Sequence, residues 1–217
     1  MDDNAPEMTL APRLRWLTFF RQWMKNPRRM ASIAPSGRQL ACMMVAALPP
    51  DCRQVIELGA GTGAITAALL RHGIPPHTLL AVEMNPVLHG LLQKRFPGVH
   101  LACDDARHLE GMLDSVDAFR HGEVDAVCSS LGLLAMPPVL QHDILSAAFG
   151  VLRPGGVFIQ YTYGVRSPVS SEVCRRLGLQ CRAVGLAWRN LPPARVFVYQ
   201  RHQSAAVMSP RSRRTSA

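Results

Sequence analysis

Three short stretches place glycines and carboxylates where they could hold a nucleoside. The first is E-L-G-A-G-T-G over residues 57–63. Glycines at 59, 61 and 63 let a chain turn sharply and approach a ligand with no Cβ in the way. The second is Glu83, 20 residues beyond Gly63, at the spacing where a carboxylate accepts both hydroxyls of a ribose. The third is Asp104-Asp105-Ala106, where an acid can receive the exocyclic amine of adenine. Together they point to an adenosine-containing cofactor. Gly59, Gly61 and Ala64 meet the dinucleotide pattern G-x-G-x-x-G/A in a weak form, so the glycines alone leave a nicotinamide cofactor open. The acid that leads the turn argues for a ligand with an amino-acid end, because Glu57 would oppose a cationic ammonium and repel a pyrophosphate.

These residues need elements that bring them to one place. Apolar runs at 54–58, 79–83, 99–103, 124–129 and 157–162 predict strands, and stretches at 64–71, 86–95, 108–119 and 138–152 predict the helices between them. Strands alternating with helices imply right-handed crossovers and a parallel sheet covered on both faces. Ligands bind such sheets outside the carboxyl ends of the strands, which is where the glycine turn, Glu83 and Asp105 fall. Beyond the fifth strand, residues 180–188 and 195–200 are β-rich and separated by R-N-L-P-P-A, which predicts an antiparallel pair closing one edge of the sheet. The expected division is 1–48 as N-terminal amphipathic or capping helices, 49–202 as the α/β domain, and 203–217 as a disordered basic tail.

Composition excludes several classes. A chain of 217 residues that is 48% hydrophobic and 18% charged can bury a core and is not a disordered polymer. No apolar run approaches the roughly 18–20 residues of a membrane span; the best, 40–48, is too short. The opening M-D-D-N is acidic where a secretory signal would be basic, so a cytoplasmic chain is expected. The six cysteines form no C-x-x-C pair and the eight histidines no H-x-x-x-H pair; no metal site is indicated.

Charge is unevenly spread. The net charge is +9, yet residues 51–150 are net acidic, while 9–50 carry seven basic side chains and no acid, and 151–217 carry eleven arginines against Glu172 alone. Two basic ends around an acidic middle attract an anionic partner, either nucleic acid or an anionic lipid surface. On a helical wheel Trp16, Leu17, Phe19, Phe20, Trp23 and Met24 share an arc of about 160°, with Arg15, Arg21 and Lys25 on the other side. An aromatic face with a basic rim suits a helix lying in a bilayer interface. Arg15, Trp16, Phe19, Phe20, Trp23 and Lys25 are therefore the expected membrane contacts; a helix that merely caps its own domain is the alternative.

The motifs E-L-G-A-G-T-G, A-V-E-M-N-P, D-D-A and L-R-P-G-G-V-F resemble those of class I S-adenosylmethionine-dependent methyltransferases, over residues 31–199. The resemblance implies a doubly wound, mostly parallel, seven-stranded Rossmann-like sheet with an N-terminal helical extension. It implies S-adenosylmethionine as cofactor, with S-adenosylhomocysteine as product. Glu57, Gly59 and Gly61 would lie along its methionine part, Glu83 at the ribose, and Asp105 with Ala106 at the adenine. Gly63, Met84, Ser129 and Ser36 would complete the cofactor site.

Four further stretches resemble the soluble bacterial phosphatidylethanolamine N-methyltransferases: N-P-R-R-M-A-S-I-A-P-S (26–36), S-S-L-G-L-L (129–134), Q-Y-T-Y-G-V-R-S-P (160–168) and R-N-L-P-P-A-R-V (189–196). In that family the loop after the fourth strand reads nearer S-G-L-P-L-L, so Ser130 and Gly132 depart from it. The resemblance implies methylation of phosphatidylethanolamine, and of its methylated products towards phosphatidylcholine, at the inner membrane face. The implied partners are a phospholipid substrate and an anionic membrane surface, with no protein partner. Ribosomal RNA adenine dimethylases carry N-(L/I)-P-(Y/F) after the fourth strand; neither that Asn nor the stacking aromatic is present, which disfavours a flipped adenine as substrate. An rRNA adenine N6-methyltransferase and a non-catalytic membrane- or RNA-binding module remain the alternatives.

For the amine, Tyr161 and Tyr163 are two apart at a strand end and so share a face. They are the candidate catalytic pair, by hydrogen bond or by cation–π contact with a methylated ammonium. For a lipid phosphate, Arg189 and Arg195 flank the Leu191-Pro192-Pro193 turn, Arg166 follows the tyrosines, and Asn190 adds a neutral donor. Leu131 is expected beside the substrate.

Overall fold

The computed structural model describes residues 35–187 and 193–202. The expected N-terminal interface helix, Arg189, Asn190 and the tail 203–217 lie outside the described residues.

A seven-stranded sheet organises the chain, in the order β3-β2-β1-β4-β5-β7-β6. The strands are β1 (Val55–Leu58), β2 (Leu79–Val82), β3 (His100–Ala102), β4 (Val124–Ser129), β5 (Leu152–Thr162), β6 (Leu179–Ala187) and β7 (Ala194–Arg201). The first five are parallel, and β7 runs antiparallel between β5 and β6. This is the doubly wound, mostly parallel, Rossmann-like α/β fold expected from the sequence. Every residue of β1, β2 and β4 is buried, because helices cover both faces of the sheet, and the sequence accordingly shows continuous apolar runs rather than alternation.

The helices are α1 (Pro35–Val45), α2 (Ala64–His72), α3 (Pro86–Arg95), α4 (Leu109–Asp114), α5 (Pro138–Val151) and α6 (Ser171–Arg176). One face of the sheet packs on Leu40, Ala41 and Met44 of α1, Ile65 and Leu69 of α2, and Leu92 of α3. The other packs on Leu109 and Leu113 of α4, Ile144 and Leu145 of α5, and Val173 of α6. Helix α1 thus contributes to the same core as α2, so this part of residues 1–48 is built into the α/β domain. No helix among the described residues is long and apolar enough to cross a membrane.

Local sequence sets the element ends. Asn85 caps α3 by accepting the Val87 and Leu88 N–H groups at 2.9 and 3.3 Å, with Pro86 in the first turn. The helix expected over 108–119 is shorter. A 3-10 turn (Ala106–His108) leads into α4, which ends at Asp114, where Ser115 and Asp117 favour turns over helix. The chain then folds back so that Phe119 is buried edge-on to His100. Strand β5 begins earlier than expected, at Leu152, through a register shift beside Val124.

The amino ends of the strands are pinned by Asp125. Its carboxylate accepts the Arg53 and Gln54 N–H groups at 2.8 and 2.9 Å and the Arg153 guanidinium at 2.5 Å. Burial alone would raise its pKa, but these donors hold it below the usual carboxylate range. The carboxyl ends carry the long loops and the site.

Candidate active site

The strand order reverses at β1, which lies between β2 and β4, and the crevice opens there as the topology requires. A cavity of about 260 Å³ occupies it. Its floor is the glycine turn. Gly59, Gly61 and Gly63 all have positive φ, at 74°, 57° and 83°, so each adopts a backbone conformation that side chains disfavour. A Cβ on Gly59 would lie 3.1 Å from Leu131 Cδ2, and one on Gly63 only 2.3 Å from Phe96 Cε2. Gly59 and Gly61 line the cavity. Gly63 instead lets α2 pack against α3.

Glu83 stands on the rim of this floor. One carboxylate oxygen accepts the Gly61 N–H and the other the Asn85 N–H, each at 2.8 Å. Two backbone donors therefore fix the carboxylate, and each oxygen keeps acceptor capacity towards the cavity. That is the arrangement a vicinal diol needs. Asp105 lines the next wall. It caps the 3-10 turn by accepting the Arg107 N–H at 2.9 Å, and it pairs with the Arg107 side chain at 3.1 and 2.8 Å. The guanidinium, acting against partial burial, holds its pKa below the usual carboxylate range. Oδ2 receives a single donor and retains a site for an exocyclic amine. Asp104 is depressed by the His108 ring at 2.9 Å, assisted by the Asp105 N–H. The opposite wall is apolar: Leu88 of α3, then Met136, Leu140 and Ile144 around the start of α5.

The structure brings Gly59, Gly61, Glu83, Met84, Asp105, Ala106 and Leu131 to one cavity. Leu131, expected beside the substrate, covers the glycine floor. Ser129 is buried at the end of β4, where its Oγ accepts the Leu131 N–H at 3.3 Å, so it shapes the loop and does not line the cavity. Ser36 lies in α1, and its side chain is outside the described structure. Glu57 faces inward: its Oε2 accepts the Thr66 hydroxyl at 2.6 Å and it is 1% exposed. Burial pushes its pKa up to about 8, against the Thr66 hydrogen bonds. Glu57 therefore sits beneath the turn and not on the cavity wall.

Tyr161 and Tyr163 share a face, as their spacing requires, with rings edge-to-face and centroids 5.7 Å apart. Both pack on the α1 and α2 side of the sheet, and burial raises both phenols above their ordinary value. Neither is a base at neutral pH. Arg195 lies on β7 and donates to the Val165 carbonyl at 3.3 Å, next to exposed Arg166, so these two arginines share a corner. Gln160, which the sequence reading missed, ties the site together. Its buried amide donates to the Leu131 carbonyl at 2.9 Å and the Tyr161 carbonyl at 2.8 Å, joining the cavity loop to the tyrosine strand. A lone Gln in the apolar run V-F-I-Q-Y-T was the available signal. Thr62, Asn85, Asp104, Ser130 and the apolar wall were also missed. No cluster of metal-ligating side chains occurs among the described residues.

Similarity to known proteins agrees with this geometry. A family model described as a methyltransferase domain matches residues 55–156. An ornithine lipid N-methyltransferase of Singulisphaera acidiphila is 32% identical over 82% of this chain and 92% of its own length. Among solved structures, the 1,6-didemethyltoxoflavin-N1-methyltransferase of Burkholderia thailandensis is similar over 91% of this chain and 93% of that one, with TM-score 0.60 and 16% identity. The Synechocystis magnesium protoporphyrin IX methyltransferase, solved with bound S-adenosylmethionine, is similar over 90% of this chain and 100% of its own, with TM-score 0.58 and 13% identity.

Proposed function

This chain belongs to the S-adenosylmethionine-dependent methyltransferases, and we propose that within them it methylates the primary amine of an amino-lipid headgroup at a membrane surface. The observation that carries the acceptor class is the 32% identity to an ornithine lipid N-methyltransferase along 82% of this chain and 92% of that relative. Phosphatidylethanolamine, the acceptor suggested by sequence resemblance, and ornithine lipid both present a primary amine on a polar headgroup.

The residues present fit the cofactor. Glu83 offers two oriented acceptors for a ribose, Asp105 one acceptor for an amine, and Gly59 and Gly61 a stretch of floor without side chains. When bound, S-adenosylmethionine supplies a methyl group on a sulfonium. The acceptor amine is mostly protonated at neutral pH and must lose a proton before its lone pair forms the new C–N bond. The buried tyrosines do not take that proton, because burial raises their phenols; water does. Neither ring lines the cofactor cavity; their role is to border the amine outside it and to stabilise the methylated ammonium by cation–π contact. Arg166 and Arg195 receive the headgroup's anionic part. Positioning supplies much of the acceleration.

The test is methyl transfer to vesicles containing phosphatidylethanolamine, ornithine lipid or neither, read as methylated lipid by mass spectrometry. Product from one or both amino lipids supports the reading and names the headgroup. Product from neither overturns it.

A further inference from the structure

Six large apolar side chains stand exposed among the described residues: Met84, Val87, Leu91, Leu134, Val139 and Val165. All but Leu91 lie on one side of the molecule, in the loops and first helical turns that follow the carboxyl ends of β2, β4 and β5. They bracket the cavity mouth. Met84 lines one lip, and Leu134 and Val139 lie either side of Met136 and next to Leu140, which line the other. Leu134 also reaches the loop after β5, since a Cβ on Gly164 would lie 3.4 Å from its Cδ2. Val165 is the next residue of that loop. The three most prominent, Val139, Val165 and Met84, are 72%, 77% and 65% exposed.

The charges around this rim are sorted. Of its acids, Asp105 pairs with the Arg107 guanidinium, Asp104 and Asp143 lie against the rings of His108 and His142, and Glu83 is held by two backbone N–H groups. Arg166 and Arg195, beside Val165, are in no ion pair among the described residues. A rim of separate aliphatic side chains with unpaired guanidiniums beside it fits a surface that is apolar a few ångströms down and anionic at its face.

We propose that this rim is a membrane-docking surface of the catalytic domain itself, in which Leu134, Val139 and Val165 enter the interface of an anionic bilayer and present the cavity mouth to headgroup depth. The inference rests on the amino-lipid reading for its purpose. It explains how an amine could reach the cavity while the acyl chains stay in the bilayer. Docking is thus not left to the N-terminal segment alone.

The full chain would be compared with two variants, the double substitution Leu134→Glu/Val139→Glu and the single Val165→Asn, which adds no charge beside Arg166 and Arg195. None of these residues lines the cavity, and their exposure keeps folding intact, which thermal unfolding would verify. Three readouts are needed: co-sedimentation with phosphatidylethanolamine/phosphatidylglycerol vesicles and separately with RNA, methyl transfer to vesicles, and methyl transfer to a short-chain amino lipid held below its micellar concentration. We expect vesicle binding and vesicle turnover to fall by about tenfold or more in the variants, with short-chain turnover unchanged. Vesicle binding equal to that of the native chain would overturn the docking surface while leaving the amino-lipid reading standing. If the native chain methylates neither lipid form, the amino-lipid reading fails, and the sedimentation alone decides the surface: it stands only if the variants lose vesicle binding. A native chain that sediments with RNA and not with vesicles overturns the proposal.

Discussion

Glu83 accepts the backbone N–H of Gly61 at 2.8 Å, so the carboxylate after the second strand and the glycine turn after the first form one unit. The acid is held by the floor it helps to define. Glu83→Ala removes both the expected ribose acceptors and the tie to the turn. S-adenosylmethionine affinity should weaken by about a hundredfold, the scale of two charge-assisted hydrogen bonds partly replaced by water. Isothermal titration calorimetry measures it, and an unchanged affinity would remove Glu83 from the cofactor site.

Two glycines should respond in opposite senses. Gly63 has a positive φ and no room, with Phe96 Cε2 2.3 Å from a built Cβ, so Gly63→Ala should destabilise the fold by about 2–4 kcal/mol. Gly90 lies within α3 with nothing within 4 Å, so Gly90→Ala should stabilise by about 0.5–1 kcal/mol. Urea unfolding of both variants distinguishes backbone strain and crowding from helix propensity.

Glu57 imposes a pH dependence. Its folded pKa is raised to about 8, chiefly by burial, above the value of an exposed glutamate. Between those two values the folded chain holds a proton that the unfolded chain releases, so stability falls as pH rises through that window. Glu57→Gln should abolish that fall and exceed the native chain in stability at pH 8, by on the order of 2–3 kcal/mol. A native stability flat from pH 5 to 8 would contradict the protonated state.

The tyrosine pair separates ring from hydroxyl. With both phenols raised by burial, neither titrates near neutrality. Tyr161→Phe and Tyr163→Phe should therefore leave the shape of the pH–rate profile unchanged, with turnover falling less than about tenfold. Tyr163→Ala should cost more, because the ring is lost. An alkaline limb that disappears in either Phe variant would assign that hydroxyl to proton transfer.

The glycine turn, Glu83 and Asp105 were legible because each follows a short apolar run, and strand ends in a parallel sheet converge. The antiparallel closing pair was legible for a similar reason, two β-rich runs around a Pro-Pro turn. Other features depend on long-range partners and leave little local trace. The inward turn of Glu57 depends on Thr66, nine residues away in the first turn of α2. The bridging amide of Gln160 depends on the carbonyl of Leu131. The apolar wall of Met136, Leu140 and Ile144 has the same periodicity as any core-facing helix, so sequence alone does not separate a ligand wall from packing. The short α4 reflects turn formers whose effect an apolar run concealed.

The most direct test of the account is a single reaction containing the full chain, radiolabelled S-adenosylmethionine, vesicles of phosphatidylethanolamine, ornithine lipid and phosphatidylglycerol, and total RNA. Extraction then separates lipid from RNA. Label is expected in the lipid fraction, on the headgroup amine, and should be lost when the anionic phosphatidylglycerol is omitted. Label confined to the RNA would contradict that expectation and make the basic ends a nucleic-acid surface.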